Sequence, residues 1–189
     1  RARLALLYSG TLGRAHEFRR LLALARACRA RSGDAISFCF AARGFRAEEL
    51  RAALGPDDTN VSLAPFAEES ELAARLESAD LHLLSLRDEW AGVVVPSKFF
   101  GSLAVGRPVV YAGPADSEIA RWIGEHDLGL VLADDADIPG AVERLHALAG
   151  DPEALARAQA HALDTHARVF SRAVVNDGWD ALLRELVTR

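Results

Sequence analysis

Short, nearly continuous apolar runs alternate with longer amphipathic stretches along most of this chain. Such runs are typical of strands that are covered on both faces, whereas the stretches between them repeat leucine and alanine at helical spacing. The pattern predicts strands at 4–9, 35–41, 60–64, 81–86, 108–112 and 129–132. It predicts helices at 17–30, 47–54, 68–78, 97–105 and 116–125, the last two with capping residues at their starts, and three more near 136–149, 152–165 and 173–187.

Strict alternation of strand and helix predicts an α/β fold with a doubly wound, Rossmann-like parallel sheet. Six strands favour the order 3-2-1-4-5-6, followed by extra C-terminal helices over 152–187. In such sheets a ligand binds beyond the carboxyl ends of the strands where the order reverses, between strands 1 and 4. The loops over 10–16 and 87–98 therefore meet at the expected ligand crevice.

Size and charge narrow the classes of function. The 189 residues fit one domain over 1–189, and half of them are hydrophobic, so the chain can bury a core. A net charge of -5 with dispersed arginines argues against nucleic acid as a partner. The sequence has no apolar run of membrane-spanning length and no signal peptide. We interpret Cys28 and Cys39 as reduced core thiols of a cytosolic protein. Because no methionine stands at position 1, we expect a piece of a longer protein, so that an active site could be shared with a missing domain.

Lys98 is the only lysine, beside 21 arginines, and it follows Ser97 where an apolar run breaks into a predicted helix. An ammonium is a compact charge with three donors that suits phosphate oxygens. A Ser-Lys pair at a helix start also fits an anion site. Chance retention of one lysine is the alternative interpretation.

Two further segments carry candidate chemistry. The first loop offers glycines that let backbone N–H groups approach an anion, followed by a cation and an imidazole, although an ordinary tight turn explains it equally well. Glu118, in the first turn of a predicted helix, either complements the helix dipole or binds sugar hydroxyls. The histidines lack metal-ligand spacing, and Asp134 and Asp135 read as a solvated turn, so we predict no metal site. The loop residues are Gly10, Gly13, Arg14 and His16.

Four segments, taken together, resemble the C-terminal, donor-binding domain of family 4 glycosyltransferases with the GT-B architecture, in particular bacterial enzymes of O-antigen, capsule and exopolysaccharide assembly. They occur in the order and spacing of that family over nearly the whole chain. The segments are LYSGTLGRAHEF at 7–18, SADLHL at 78–83, VPSKFFGSLAVGRPVV at 95–110 and SEIA at 117–120.

The resemblance implies roles for the candidate residues. The loop over 10–16, with Ser97 and Lys98, would hold the diphosphate of a nucleotide sugar. The segment of Pro65, Phe66 and Ala67 would face the base, and Glu118 would lie near the phosphates or the sugar.

The chain departs from the family at one pair of positions. Many members carry two glutamates eight positions apart, whereas this chain has Val93 and Gly101. Neither can bind a hydroxyl through a carboxylate. The contact to ribose therefore has Glu118 or Glu89 as its candidates.

The resemblance implies glycosyl transfer from a nucleotide-diphosphate sugar, with UDP expected as the nucleotide, to a saccharide or lipid-linked saccharide acceptor. It also implies retention of configuration, no metal ion and no other cofactor. The acceptor site and any general base would lie on the missing N-terminal domain, so we expect the chain alone to bind nucleotide without turnover. The full enzyme is expected in the cytoplasm, with peripheral association at the inner face of the plasma membrane as an open possibility. Two rivals are a non-catalytic nucleotide-sugar-binding module and an enzyme like the UDP-sugar 2-epimerases.

The apolar stripe in the tail leaves two interpretations open. The last helix either crosses back to the missing domain or packs on this domain's own sheet. The stripe consists of Phe170, Val174, Val175, Trp179, Leu182, Leu183 and Leu186.

Overall fold

A computed structural model of the chain describes residues 3–188, apart from the side chain of Glu69. Its sheet has six strands in the order β3-β2-β1-β4-β5-β6, and all five pairings are parallel. The predicted fold class and strand order are therefore confirmed. The strands are β1 Leu4–Thr11, β2 Ile36–Arg43, β3 Val61–Leu63, β4 Leu81–Ser85, β5 Val109–Ala112 and β6 Gly129–Leu132.

Eight α-helices connect and follow these strands in the described residues, at the places that the apolar pattern predicts. Helix α1 begins two residues later than predicted, because Glu17 is held at β4, where its backbone N–H donates to Ser85 Oγ at 3.2 Å. The helices are α1 Arg19–Ser32, α2 Phe45–Ala53, α3 Leu72–Glu77, α4 Lys98–Ala104, α5 Glu118–His126, α6 Ile138–Gly150, α7 Pro152–Thr165 and α8 Arg172–Val187.

The core lies on both faces of the sheet, as the continuous apolar strands require. On one face, buried side chains of β1 and β2 pack against α1 and α6. On the other face, β4 and β5 pack against α4, α5 and α7. Because Tyr8, Phe38 and Phe40 are almost fully buried beside α1, the ends of β1 and β2 are rigid supports for the loops that follow them.

The last helix does not join this core. All described residues of α8 are exposed, and Trp179 keeps 60% of its surface. Phe170 behaves differently, because it lies in a π-helical turn before α8 and packs with Phe99 and Trp122 at centroid distances of 5.5 and 5.3 Å. The interpretation that the last helix packs on this domain's own sheet is therefore wrong, and Phe170, the one residue of the stripe before α8, packs on α4 and α5 instead.

None of the helices described over residues 3–188 combines the length and the apolar character needed to cross a bilayer.

Candidate functional site

The side chain of Lys98 crosses the crevice between β1 and β4 at the carboxyl edge of the sheet. It projects from the first residue of α4, and its Nζ donates to the carbonyl oxygen of Thr11 at 3.3 Å. The same Nζ lies 5.4 Å from the ring centroid of Tyr8. The ammonium is thus held at the point where the strand order reverses, as the topology predicts.

Gly10 makes this position of Lys98 sterically possible. A Cβ atom built on Gly10 would lie 2.2 Å from Cε of Lys98, far inside contact distance. Gly10 also has a φ of 137°, which side-chain-bearing residues rarely adopt. Any larger residue would therefore force the lysine stem to shift from this position.

Lys98 has no anionic partner in the described residues. None of the ion pairs over residues 3–188 includes it, although many of the arginines there are paired with carboxylates within 4 Å. Partial burial lowers its pKa from the ordinary lysine value, because desolvation disfavours the charged form. An anion placed beside Nζ would offset this desolvation, so the site favours negatively charged ligands.

The imidazole of His16 also lies next to the Tyr8 ring, with a centroid distance of 6.2 Å and the two rings nearly perpendicular. Its Nδ1 is 2.9 Å from the carbonyl oxygen of Ser85, and a carbonyl can only accept, so Nδ1 carries the proton. Burial lowers the pKa of His16, and the charge of Lys98 lowers it further. The free imidazole is therefore neutral at pH 7, with Nε2 as a hydrogen-bond acceptor.

A cavity of about 210 Å³ opens beneath Lys98, between α3 and α4. Five of its eleven lining residues are leucines, and three serines add hydroxyl groups. Sequence reasoning missed this cavity, although the leucines at 72 and 76, four apart on a predicted helix, were its signal. The lining residues are Leu7, Ser9, Leu72, Leu76, His82, Leu83, Leu84, Ser97, Lys98, Gly101 and Ser102.

The other residues that were expected to bind phosphate differ in their exposure and in their contacts. Gly13 lies in the first loop and is partly buried, whereas Arg14 is exposed and its guanidinium has no hydrogen bond or ion pair in residues 3–188. Ser97 lines the cavity but does not cap α4, so the expected cap at that helix is wrong. At α5 the capping residue is Ser117, which accepts from the N–H of Ala120 at 3.3 Å.

The segment expected to face the base lies after β3 and does not line the cavity. Pro65 and Phe66 are exposed, and Ala67 is buried. The guanidinium of Arg43 lies 4.0 Å from the ring centroid of Phe66, which is a close cation–π contact. A flat, cationic surface therefore exists here, next to the carboxyl end of β2.

The two candidate glutamates are each held by an arginine outside the cavity. Glu118, at the first position of α5, pairs with Arg121, and Glu89 pairs with Arg87. Their side chains remain about half exposed, at 51% and 55%. No contact in the structure joins either glutamate to Lys98, so their sugar or ribose role stays a prediction.

The two positions where the family carries glutamates are open in this chain. Val93 is 71% exposed, and a Cβ atom built on Gly101 would have no neighbour within 4 Å. Because Gly101 lines the cavity, the missing side chain leaves room there for a ligand. Over residues 3–188, no group of three or more His, Cys, Asp or Glu side chains is placed to hold a metal ion.

No protein-family model and no curated protein matches the chain. Solved structures do share its fold. One is a mutant of S. aureus TarM in complex with fondaparinux, alpha-GlcNAc-glycerol and UDP, with a TM-score of 0.73, 14% identity, and coverage of 96% of this chain and 36% of TarM. Another is the C-terminal domain of LpcC, a glycosyl transferase group 1 family protein from Francisella tularensis, with a TM-score of 0.66, 10% identity, and coverage of 90% and 88%.

A third is WaaG, a glycosyltransferase involved in lipopolysaccharide biosynthesis, with a TM-score of 0.62, 17% identity, and coverage of 88% of this chain and 43% of WaaG. The chain therefore has the fold of the Rossmann-like domains found in GT-B glycosyltransferases. It spans little more than a third of the length of TarM. The expected resemblance is confirmed at the level of the fold, while family 4 and the O-antigen type stay predictions.

Proposed function

We propose that this chain is the donor-binding domain of a glycosyltransferase and that it binds a UDP-linked sugar in the crevice between β1 and β4. The observation that carries this proposal is the ammonium of Lys98, which lies in that crevice against Gly10 without a carboxylate partner in the described residues. The complex of TarM, a protein of the same fold, with UDP supports the choice of nucleotide.

In the proposed reaction the bond between the sugar and the diphosphate breaks, so negative charge develops on the leaving phosphate. Lys98 would stabilise that charge from a fixed position in a partly buried site. Removing one such pre-organised donor typically costs about 2.7–4 kcal/mol in the transition state. Gly10 and Gly13 would let the loop backbone approach the diphosphate, and exposed Arg14 and Ser97 are free to join it.

The nucleoside would occupy the surfaces beside the diphosphate. The apolar cavity lined by Leu72 and Leu76 offers a wall for the ribose or base, and Gly101 leaves space there. The Arg43–Phe66 pair offers a second stacking surface after β3. In its neutral form, His16 can accept a hydrogen bond from a hydroxyl group of the ligand. In its protonated form, it can bind the diphosphate as a cation.

The remaining parts of the enzyme would come from a second domain. We propose that this domain supplies the saccharide or lipid-linked acceptor site and any general base, and that it covers the exposed apolar face of α8. The fold neighbour WaaG, a glycosyltransferase involved in lipopolysaccharide biosynthesis, supports a polysaccharide pathway. Retention of configuration, independence of metal ions and a cytoplasmic location at the membrane belong to the same proposal.

Isothermal titration of the chain with UDP, GDP and ADP tests the proposal. We expect saturable binding, tightest for UDP, and no binding of free glucose alone. Absence of binding for all three nucleotides at millimolar concentration would leave the non-catalytic module as the better account. The open positions of Val93 and Gly101 favour that rival. Product analysis with the full-length enzyme separates transfer from epimerisation.

A further inference from the structure

A second cleft lies at the opposite edge of the sheet from Lys98. It opens between α6 and α7, below the first residues of β4, β5 and β6, and has a volume of about 360 Å³. The volume falls within the range of small-molecule sites. The proposed function makes no use of this cleft.

Two arginines line this cleft from different helices. Arg144 of α6 forms no hydrogen bond or ion pair in the described residues. Arg157 of α7 has one ion pair there, to Glu153 at 3.7 Å, and both of those side chains are largely exposed. Asp127, the acidic residue in the lining, forms no ion pair within 4 Å with either arginine. Both guanidiniums are therefore available to a ligand.

The floor of the cleft is apolar and rigid. Leu81 and Pro108 are buried at the starts of β4 and β5, and Leu130 and Leu148 complete the floor. His161 lies at the mouth, where its Nε2 donates to the carbonyl oxygen of His126 at 2.7 Å. A ligand that fills this cleft needs an apolar body as well as an anionic group.

We propose that this cleft binds a small organic phosphate monoester, with the phosphate between Arg144 and Arg157 and the organic body on the apolar floor. Guanidinium groups bind phosphate oxygens through paired N–H donors. A phosphate monoester carries close to two negative charges and has three acceptor oxygens, so it can bind two guanidinium groups at once. A carboxylate has one charge and two oxygens, which a single guanidinium group can bind.

Helix α7 connects this cleft to the crevice that contains Lys98. Helix α7 also packs on α4, and just after the end of α4 the backbone of Gln159 lies 3.1 Å from a Cβ built on Gly106. The side chain of Gln159 donates to the carbonyl oxygen of Asp80 at 3.2 Å, just before β4. A ligand that fixes α7 against α6 therefore stabilises the helix whose first residue is Lys98.

Phenyl phosphate is a suitable probe, followed through the backbone amide NMR shifts of Gly129 and Ala158 at the cleft and of Gly10 at the crevice. We expect saturable shifts at the first two amides, with benzoate and inorganic phosphate each binding about fivefold more weakly. The double variant R144A/R157A should lose about tenfold or more in affinity. The control R51A removes an exposed, paired arginine of α2 and should bind as the parent chain does.

Three results would overturn the proposal. The shifts at Gly129 and Ala158 could be absent up to tens of millimolar probe, they could persist unchanged in R144A/R157A, or the probe could shift only Gly10. Because both arginines are exposed, the double variant should keep the parent melting temperature, and a drop in it would assign them a structural role instead. Binding of UDP at the crevice is measured separately and does not depend on this outcome.

Discussion

Replacing Lys98 by methionine separates a ligand-binding role from a structural role. Methionine keeps most of the apolar stem in place beneath Gly10 and removes only the charged head. In the free chain the ammonium is partly buried without a carboxylate partner in the described residues, and burial lowers its pKa, so the charge is a cost to the fold. We therefore expect the melting temperature of the variant to stay the same or to rise.

The effect on ligand binding should have the opposite sign. A hydrogen bond that involves a charged group contributes about 1.5–3 kcal/mol, which corresponds to a loss of about 10- to 150-fold in affinity. Calorimetric titration should show this loss for UDP and almost none for uridine, which lacks the diphosphate. The variant Arg168→Met, which removes an exposed cation paired with Asp164, is the matched control and should bind UDP normally.

Equal weakening of UDP and uridine binding by Lys98→Met would refute the reasoning, because it would mean that the lysine shapes the site without touching phosphate. A large fall in melting temperature would do the same.

Three other perturbations test separate parts of the structure. Gly10→Ala should weaken UDP binding as much as Lys98→Met does, since the new Cβ would lie 2.2 Å from Cε of Lys98; titration that gives parent affinity would contradict this. Burial lowers the pKa of His82 to about 4, so its neutral form stabilises the fold above the unfolded pKa of 6.5, and this stability is lost as the pH falls below that value. Urea unfolding should therefore show about 2 kcal/mol less stability at pH 5 than at pH 7.5, and a His82→Gln variant that keeps the same pH slope would exclude this origin. The double variant Trp179→Asp/Leu183→Asp should change the melting temperature by less than about 2 °C, because both side chains are more than half exposed, whereas a larger fall by calorimetry would place α8 in the core.

The arrangement of the sheet could be predicted because the apolar runs are short, continuous and separated by helical periodicity. Parallel strands buried on both faces leave that signature, and the topological rules then bring the loops after β1 and β4 together. The position of Lys98 in this crevice follows from that argument alone. Helix ends were predicted less well: α1 starts at Arg19 because a hydrogen bond from Glu17 to Ser85, on a distant strand, holds the preceding loop.

The parts of the site that escaped prediction depend on distant pairs of residues. The topology predicts that the segments of Gly10 and Lys98 meet, but no local pattern encodes the close packing of the lysine stem on Gly10, where an added Cβ would lie 2.2 Å from Cε. The cavity beside Leu72 was not predicted because a leucine on the apolar side of an amphipathic helix is normally a core residue. Ser97 looked like a cap from its place before a helix, but its side chain lines the cavity instead.

The most direct test is a crystal structure of the chain soaked with UDP. The account predicts density for the diphosphate between the loops after β1 and β4, with Nζ of Lys98 moved from the Thr11 carbonyl to within about 3 Å of a phosphate oxygen. Nucleotide density elsewhere, with Nζ still bound to Thr11, would contradict it.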